Sequence, residues 1–314
     1  MIRNMKRSLA LLLAVLITKT LYSQSISDQD IAQGEKFLSA YFNPMAASFG
    51  SSLNNGWYNT AKPHSLGGFD LTITLNTVII PSSGKTFNIQ EAGGTTFTSV
   101  STDAATVFGT NQSTSMTYNG IGFDMPGGAL EASFIPIPMI QAGIGLIKKT
   151  GLDFRFLPSY TIKDAATVSL FGVGIKHDLL QWIPGVGDAI PISFSFQAGY
   201  TSLKSIVTVP NTNNQEISLN TQATTMNLIA SKKILMFTGH IGLGYNFSNT
   251  SLSTDTDFNL SGIKFDDPIG IVIKNNNIRA NIGLRYNITL VTIQADYTFS
   301  EYPTATLGLG VSFR

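Results

Sequence analysis

The stretch IRANIGLRYNITLVTIQADYTF, residues 278–299, decides the fold. Apolar side chains, aromatic rings included, occupy the even positions of 278–286 and the odd positions of 291–299, and polar residues or glycine alternate with them. Such alternation on both sides of a turn is typical of two antiparallel strands that each have one apolar and one polar face. The stretch therefore predicts a β-hairpin.

The change from even to odd positions also constrains the turn. Both strands must present their apolar residues on the same face, so paired positions sum to an odd number and the connection holds an even number of residues. We predict a two-residue turn at Asn287-Ile288. In that register Arg279 lies directly opposite Asp296, and the two side chains form an ion pair inside the protein.

Two other hairpins carry adjacent lysines near their turns. The apolar positions have the same parity before and after 148–150 (KKT) and 231–233 (SKK), which predicts odd connections such as three-residue turns. Both connections are short, so we expect them to face the periplasm, whereas the longer connection near 204–214 faces the outside.

The composition places these hairpins in a membrane. The 314 residues are 43% hydrophobic and only 12% charged, with a mean hydropathy of +0.16, whereas a soluble domain carries about 25% charge. No stretch reaches the roughly 18 to 20 consecutive apolar residues of a helical span. We therefore predict an all-β fold, a transmembrane antiparallel β-barrel of about 14 strands (12–16) over residues 68–314, with its weakest strand signals at 85–130 and 249–275.

The N-terminal residues predict export to the outer membrane of a Gram-negative bacterium. Residues 1–23 combine Arg3, Lys6 and Arg7 with an apolar run at 9–17, as a signal peptide does, and we expect cleavage near Ser23. Removal of this segment leaves a slightly acidic chain, which argues against a nucleic-acid partner. The absence of cysteine excludes disulfides, thiolate metal sites and a lipoprotein anchor, so the barrel itself must hold the protein in the membrane. Outer-membrane lipid is therefore the first expected partner.

Residues 24–67 are predicted to plug the barrel. Positions 27–42 suit a short amphipathic helix that begins at Ser27 and is too short and too polar to span a membrane. The small residues of 43–50 then suit a tight path through the lumen. A periplasmic arm is the alternative. The candidate residues of the plug and of the lumen wall are Asn43, Pro44, Met45, Trp57, Arg155, His240, Arg279, Arg285 and Asp296.

The residues also resemble known families. The signal peptide, the helix, Asn43-Pro44-Met45-Ala46 and the long alternating strands resemble the outer-membrane long-chain fatty-acid transporters (FadL-like barrels), which implies a plugged fourteen-stranded barrel. Met45 departs from the alanine of that motif, and Arg314 follows the terminal aromatic Phe313. Residues 54–61 (NNGWYNTA) and 174–185 (GIKHDLLQWIPG) resemble an uncharacterised family of Gram-negative outer-membrane proteins, which implies no particular substrate.

The sequence contains few residues of the kinds that catalyse reactions or bind metals. Three histidines are too few and too scattered for a metal site. In the alternating pattern of its strand, His240 falls on the face predicted to line the lumen, whereas an interfacial hydrolase would place its histidine toward the lipid. We expect no catalysis and no cofactor. Glycines two positions apart, such as Gly172 and Gly174, have the lumen parity and make room inside the barrel. Residues 178–184 suit a helix at the membrane interface anchored by Trp182, or else a connection that caps the barrel mouth.

The interior parity carries many uncharged polar residues and few charges. An ion-selective porin would carry denser rings of charge. We therefore expect a barrel that passes or binds small hydrophobic or amphipathic molecules through a plugged lumen. The alternative is a structural or secretion-associated barrel that holds a protein partner through its extracellular loops. An outer-membrane enzyme is the third hypothesis, but the sequence places no nucleophile, base and orienting group on the same face of the barrel wall.

Overall fold

The computed structural model describes residues 28–93, 97–118, 121–125, 127–162, 166–183, 190–208, 216–254, 258–260, 263–265 and 270–313. The predicted signal peptide lies outside these residues and stays a prediction. Most of the predicted long connection near 204–214 lies outside them as well. Arg314 is also outside.

Ten antiparallel strands close into one barrel. In chain order they are β1 (Phe69–Ile79), β2 (Phe134–Leu146), β3 (Thr150–Ile162), β4 (Ala166–Asp178), β5 (Ser193–Thr208), β6 (Glu216–Ile234), β7 (Phe237–Thr254), β8 (Gly270–Ile288), β9 (Val291–Phe299) and β10 (Thr304–Phe313). Each strand pairs with its neighbours in the sequence, and β1 pairs with both β2 and β10, which closes the barrel.

The prediction of about 14 strands is wrong. The described residues between 80 and 133 form short strands and helices outside the barrel sheet, and among the described residues Phe258–Leu260 pairs only with Ile263–Phe265. In addition, β6, β7 and β8 have 19, 18 and 19 residues, more than the roughly 9–11 that a bilayer crossing needs. The residues therefore form fewer and longer strands than predicted.

The two ends of the barrel differ. One end, the short-turn end, has the three-residue β2–β3 connection at 147–149 and two-residue turns after β6 and β8. The other end, the long-connection end, carries residues 80–133. Short turns mark the periplasmic end of outer-membrane barrels. The three-residue connection predicted at Lys148-Lys149 is confirmed.

The predicted turn at Asn287-Ile288 is wrong by two residues. Ile288 pairs with Val291, so the turn is Thr289-Leu290 and paired positions sum to 579 rather than 575. The even length of the connection and the shared apolar face are as predicted. The predicted three-residue turn at 231–233 is also wrong: Ile234 pairs with Phe237, which leaves a two-residue turn, because Ile229 faces the lumen and not the lipid.

An apolar belt covers the outer wall. Along β1 the exposed side chains are apolar and the buried side chains between them are polar, in the order Leu71, Thr72, Ile73, Thr74, Leu75 and Asn76. On β7 the belt ends at Phe247, beyond which the outward positions are Asn249, Ser251 and Ser253. A belt of this kind is stable in lipid and not in water, and it gives the fold of an outer-membrane β-barrel.

Helix α1 (Asp28–Asn54) runs from the long-connection end down into the lumen. It is 12 residues longer at its C-terminus than the predicted helix of 27–42, because Pro44 lies inside the helix and does not end it. Its apolar side chains pack against Leu219, Leu252 and Ile271 from the upper wall. The upper part of the interior is therefore filled by a helix.

The described residues between β1 and β2 build a cap over the upper end of α1. The cap contains helix α2 (Ile89–Gly93), the strand pair Thr86–Asn88 with Asp103–Ala105, and a three-stranded sheet of Phe97–Ser99, Thr114–Tyr118 and Ile121–Met125. Phe37 of α1 stacks on Phe97 at 4.9 Å. The Tyr41 hydroxyl donates to Gly127 O at 3.1 Å, and burial raises the pKa of Tyr41 so that it stays a neutral donor.

Candidate functional site

The C-terminus of α1 ends in the middle of the lumen, where its last carbonyls need partners. The final carbonyls of any helix lack intrahelical donors and carry the negative end of the helix dipole. Here the chain leaves the helix through Gly56, whose φ of +74° is the left-handed conformation that favours glycine at this position. The exposed carbonyl groups then face the barrel wall. We call the wall residues that bind them the socket.

Two arginines form the centre of the socket. Arg155 on β3 donates from Nη1 to Leu53 O at 2.8 Å and from Nη2 to Asn55 O at 2.6 Å. Arg279 on β8 donates from Nη1 to Asn54 O at 2.5 Å. Both are buried, with 0% and 2% exposure, and among the described residues neither forms an ion pair with a carboxylate. The helix terminus therefore balances their charges.

Asn55 ties the helix end to four strands, because three more strands besides β3 bond to it. Its side-chain oxygen accepts from Arg279 Nη2 at 2.7 Å and from Thr298 on β9 at 2.5 Å. Its side-chain nitrogen donates back to Ser51 O at 2.7 Å. On β1, Asn76 donates to Ser52 O at 3.0 Å and to Asn55 O at 3.2 Å. Every carbonyl from Ser51 to Asn55 thus has a partner, as a buried helix end requires.

Trp57 occupies a slot made by two glycines. Gly174 on β4 and Gly199 on β5 are directly paired, and a Cβ on either would lie 2.7 Å or 2.5 Å from the indole ring. Arg155 stacks over the same ring, with its guanidinium carbon 3.7 Å from the ring centroid, a cation–π contact. The predicted lumen parity of Gly174 is confirmed, and the space it leaves is taken by the plug.

Asp296 pairs with His240 and not with Arg279. His240 Nε2 on β7 lies 2.5 Å from Asp296 Oδ1 on β9, and the contact passes over Gly283 on β8, whose missing side chain leaves room for it. The predicted Arg279–Asp296 ion pair is wrong because the true register places Gly283 opposite Asp296. Tyr58 packs edge-on against His240 at 5.8 Å.

Below Trp57 the plug continues as an extended segment with polar contacts to the wall. Arg285 donates to Asn59 Oδ1 at 2.7 Å, Lys176 donates to Thr60 O at 3.3 Å, and Ser231 accepts from Ala61 N at 2.9 Å. Asn59 also donates to Gln294. A small cavity beside this segment, lined by Asn59, Asp153 and Lys176 among others, measures about 10 Å³, enough for about one water molecule.

Six of the nine candidate residues lie in this lower half of the lumen: Trp57, Arg155, His240, Arg279, Arg285 and Asp296. The structure brings Trp57, Arg155 and Arg279 together around the helix end, and it brings His240 and Asp296 together on the wall. Asn43, Pro44 and Met45 lie about three turns up the helix, at the level of the apolar cluster that Met45 contacts. They are part of the plug but not of the socket.

The carbonyl-bearing residues themselves were not predicted. Leu53, Asn54 and Asn55 act through their backbones, which carry no sequence signature. The Asn54-Asn55-Gly56 run is, however, a helix stop signal, and it marks the end of α1 correctly. Asn76, and Gln141 on β2, which accepts from Arg155 Nε at 2.9 Å, were recognisable only by their lumen-facing positions in the alternating pattern.

Two further findings concern the described residues alone. No group of three His, Asp or Glu side chains among them is arranged to hold a metal ion. No helix among them is long and apolar enough to cross a membrane.

Comparison with solved structures finds other β-barrels at low similarity. The translocator domain of the autotransporter NalP from Neisseria meningitidis is 10% identical, with a TM-score of 0.34 over 88% of this chain and 97% of that chain. The outer membrane protease OmpT from Escherichia coli is 11% identical, with a TM-score of 0.33 over 78% and 97%. Neisserial surface protein A is 10% identical, with a TM-score of 0.26 over 79% and 96%. Likeness at this level says nothing about activity.

Comparison by sequence gives a family. No curated protein matches the chain. A family model described as a family of unknown function, DUF6588, matches residues 5–313, which is nearly the whole sequence. The expectation of an uncharacterised family is confirmed, whereas a relationship to the long-chain fatty-acid transporters is not found. The chain belongs to the family of unknown function DUF6588.

Proposed function

We propose that the protein is an outer-membrane barrel that binds or passes small hydrophobic or amphipathic molecules when α1 moves within the lumen. One observation carries this proposal: the inner wall changes character along the barrel axis. Toward the long-connection end it is apolar, lined by Val78, Leu219, Leu252, Ile271 and Ile273. Around the socket it is polar. A water-filled pore would be polar along its whole length.

The apolar wall is covered by α1 in the structure. Phe37, Leu38 and Phe42 pack against its upper part, and Leu53 packs against Met139, Leu170 and Leu203 halfway down. Any displacement of the helix exposes an apolar chamber above a polar floor. Such a chamber would suit a molecule with an apolar body and a polar end.

The experiment locks the helix to the wall. The chain contains no cysteine, and Ser51 Oγ lies 3.2 Å from Thr304 Oγ1, so Ser51→Cys with Thr304→Cys can be joined by oxidation. Thr221 and Thr250, whose hydroxyl oxygens are 3.0 Å apart on two wall strands, provide the matched control pair. The probe is the hydrophobic dye N-phenyl-1-naphthylamine, added to the protein in nanodiscs.

We expect the reduced plug pair to bind the dye, and oxidation to reduce that binding at least tenfold. Oxidation of the wall pair should leave binding unchanged. The proposal is wrong if the oxidised plug pair binds dye as well as the reduced one, or if neither form binds any.

A second candidate is supported by the cap. Its three-stranded sheet carries a groove of about 660 Å³ lined by Thr98, Val100, Thr117 and Asp124, and Val100 is fully exposed. This surface suits a protein partner held at the long-connection end. Mild-detergent purification after cross-linking tests it: a partner that is lost with Val100→Asp but retained by the locked plug pair supports this second function.

A further inference from the structure

The β2–β3 turn at the short-turn end presents two lysines from an unfavourable backbone. Lys148 and Lys149 are both exposed and have φ values of +54° and +45°. Residues other than glycine and asparagine adopt this left-handed conformation at a cost of about 1 kcal/mol or more each. Asparagine and glycine would fit the turn with less strain. Lysine at both positions therefore points to a use for the side chains.

The turn is held in place by the next connection. Gln181 donates from its side chain to Lys148 O at 2.9 Å, and the Asp178 backbone N–H donates to Lys149 O at 3.1 Å. These hydrogen bonds hold the backbone of the turn against the β4–β5 connection. The predicted interfacial helix of 178–184 is only a single 3-10 turn, Leu180–Trp182.

Trp182 indicates where this surface lies relative to the membrane. Its ring is 61% exposed, and its indole N–H donates to His177 at 2.8 Å. Ile183, the next residue, and Ile147 of the β2–β3 turn are exposed as well. Tryptophan with neighbouring apolar residues is typical of the level where head groups meet acyl chains. The β2–β3 turn, which contacts the same connection, therefore lies near head-group level.

The exposed charges of the described residues differ between the two ends: the short-turn end has lysines and no exposed carboxylate, whereas the other end combines Lys36, Lys204 and Lys274 with several carboxylates. Five exposed lysines surround the short-turn end: Lys62, Lys148, Lys149, Lys232 and Lys233. The exposed carboxylates that the structure describes lie at the other end or in the cap: Glu35, Glu91, Asp103, Asp124, Glu131 and Glu301. A basic rim at one leaflet attracts anionic lipid.

We propose that the Lys148-Lys149 turn, together with Trp182, binds the phosphodiester head group of an anionic phospholipid in the periplasmic leaflet. The lysines supply the charge, and Trp182 with Ile147 and Ile183 sets the depth at which the phosphate sits. The site is independent of the plug and of any molecule in the lumen.

The test compares nanodiscs of phosphatidylcholine with nanodiscs that also contain phosphatidylglycerol, and measures the Tm from the gel shift of the folded barrel. We expect phosphatidylglycerol to raise the Tm by several degrees. The double variant Lys148→Asn with Lys149→Gly relieves the strained turn, so it folds, and we expect it to lose the rise. Lys148→Arg with Lys149→Arg should keep it.

Two control experiments distinguish binding at this site from a general effect of charge on the Tm. Lys204→Gln with Lys274→Gln removes two exposed lysines from the outer wall beyond the apolar belt, and this variant should keep the full rise. Glycerol phosphate added to phosphatidylcholine nanodiscs should have no effect. The proposal is overturned if the Asn-Gly variant keeps the rise, if the Lys204/Lys274 variant loses it, or if glycerol phosphate reproduces it.

Discussion

Arg155 and Arg279 show how a barrel can bury two cations that form no direct ion pair among the described residues. Each guanidinium has several donors in a fixed plane, and the end of α1 offers several carbonyl oxygens close together. A lysine ammonium on either strand is a single point charge and would leave one or more of these carbonyls unpaired. Arginine at both positions follows from the shape of the helix end.

Replacing Arg155 tests this account at a single residue. We expect Arg155→Ala to destabilise the folded barrel by about 3 kcal/mol, because two buried carbonyls lose charged donors. Arg155→Lys should recover less than half of that loss. Urea midpoints of the unboiled gel band give the free energies. Lys204→Ala, an exposed control, should stay within about 0.5 kcal/mol of the wild type, and an equally small effect of Arg155→Ala would contradict the account.

Gly283→Ala should break the contact between His240 and Asp296. A Cβ at position 283 would overlap both the imidazole ring and the carboxylate. The two buried side chains would then lose their mutual contact, at a cost of about 2 kcal/mol or more. Gly239→Ala is the matched control on β7, since nothing lies within 4 Å of its Cβ position. Equal stability of the two variants would exclude the proposed role of Gly283.

At the level of elements, strand parity explains what the sequence could and could not predict. Alternation places Arg279, Arg285 and Asp296 in the lumen whichever turn is used, and all three are buried. Moving the turn from 287–288 to 289–290 changes each pair sum by four and preserves every parity. Parity therefore predicts the face of a residue but not its partner, which is why His240 was not recognised as the partner of Asp296.

The observed turn contains one residue whose replacement should increase the stability of the barrel. Thr289 has a φ of +54°, and a β-branched side chain is strongly disfavoured there. We expect Thr289→Asn to stabilise the barrel by about 1 kcal/mol, because asparagine tolerates this conformation. Thr86→Asn, at an exposed position in an extended strand, should bring no gain. If both variants gain equally, the turn is not at Thr289-Leu290.

At the scale of the whole molecule, the sequence predicted a plugged membrane barrel but overcounted its strands. The Thr-rich runs of 85–130 resemble short strands, and they are strands, but they pair with one another above the lumen. Nothing in local alternation distinguishes a strand of the wall from a strand of the cap. The length of α1 was missed for a related reason, since Pro44 stops most helices and here lies inside one.

The central claim is that the N-terminal segment fills the lumen and is fixed to its wall. Disulfide formation in intact outer membranes tests it most directly, with cysteines at Thr60 and Ser231, whose hydroxyl oxygens are 3.2 Å apart between plug and wall. We predict that this pair closes spontaneously and nearly completely, as a shift on non-reducing gels and a linked peptide in mass spectrometry. If both thiols stay free and react with a maleimide while the barrel remains folded, the segment lies elsewhere and the account is wrong.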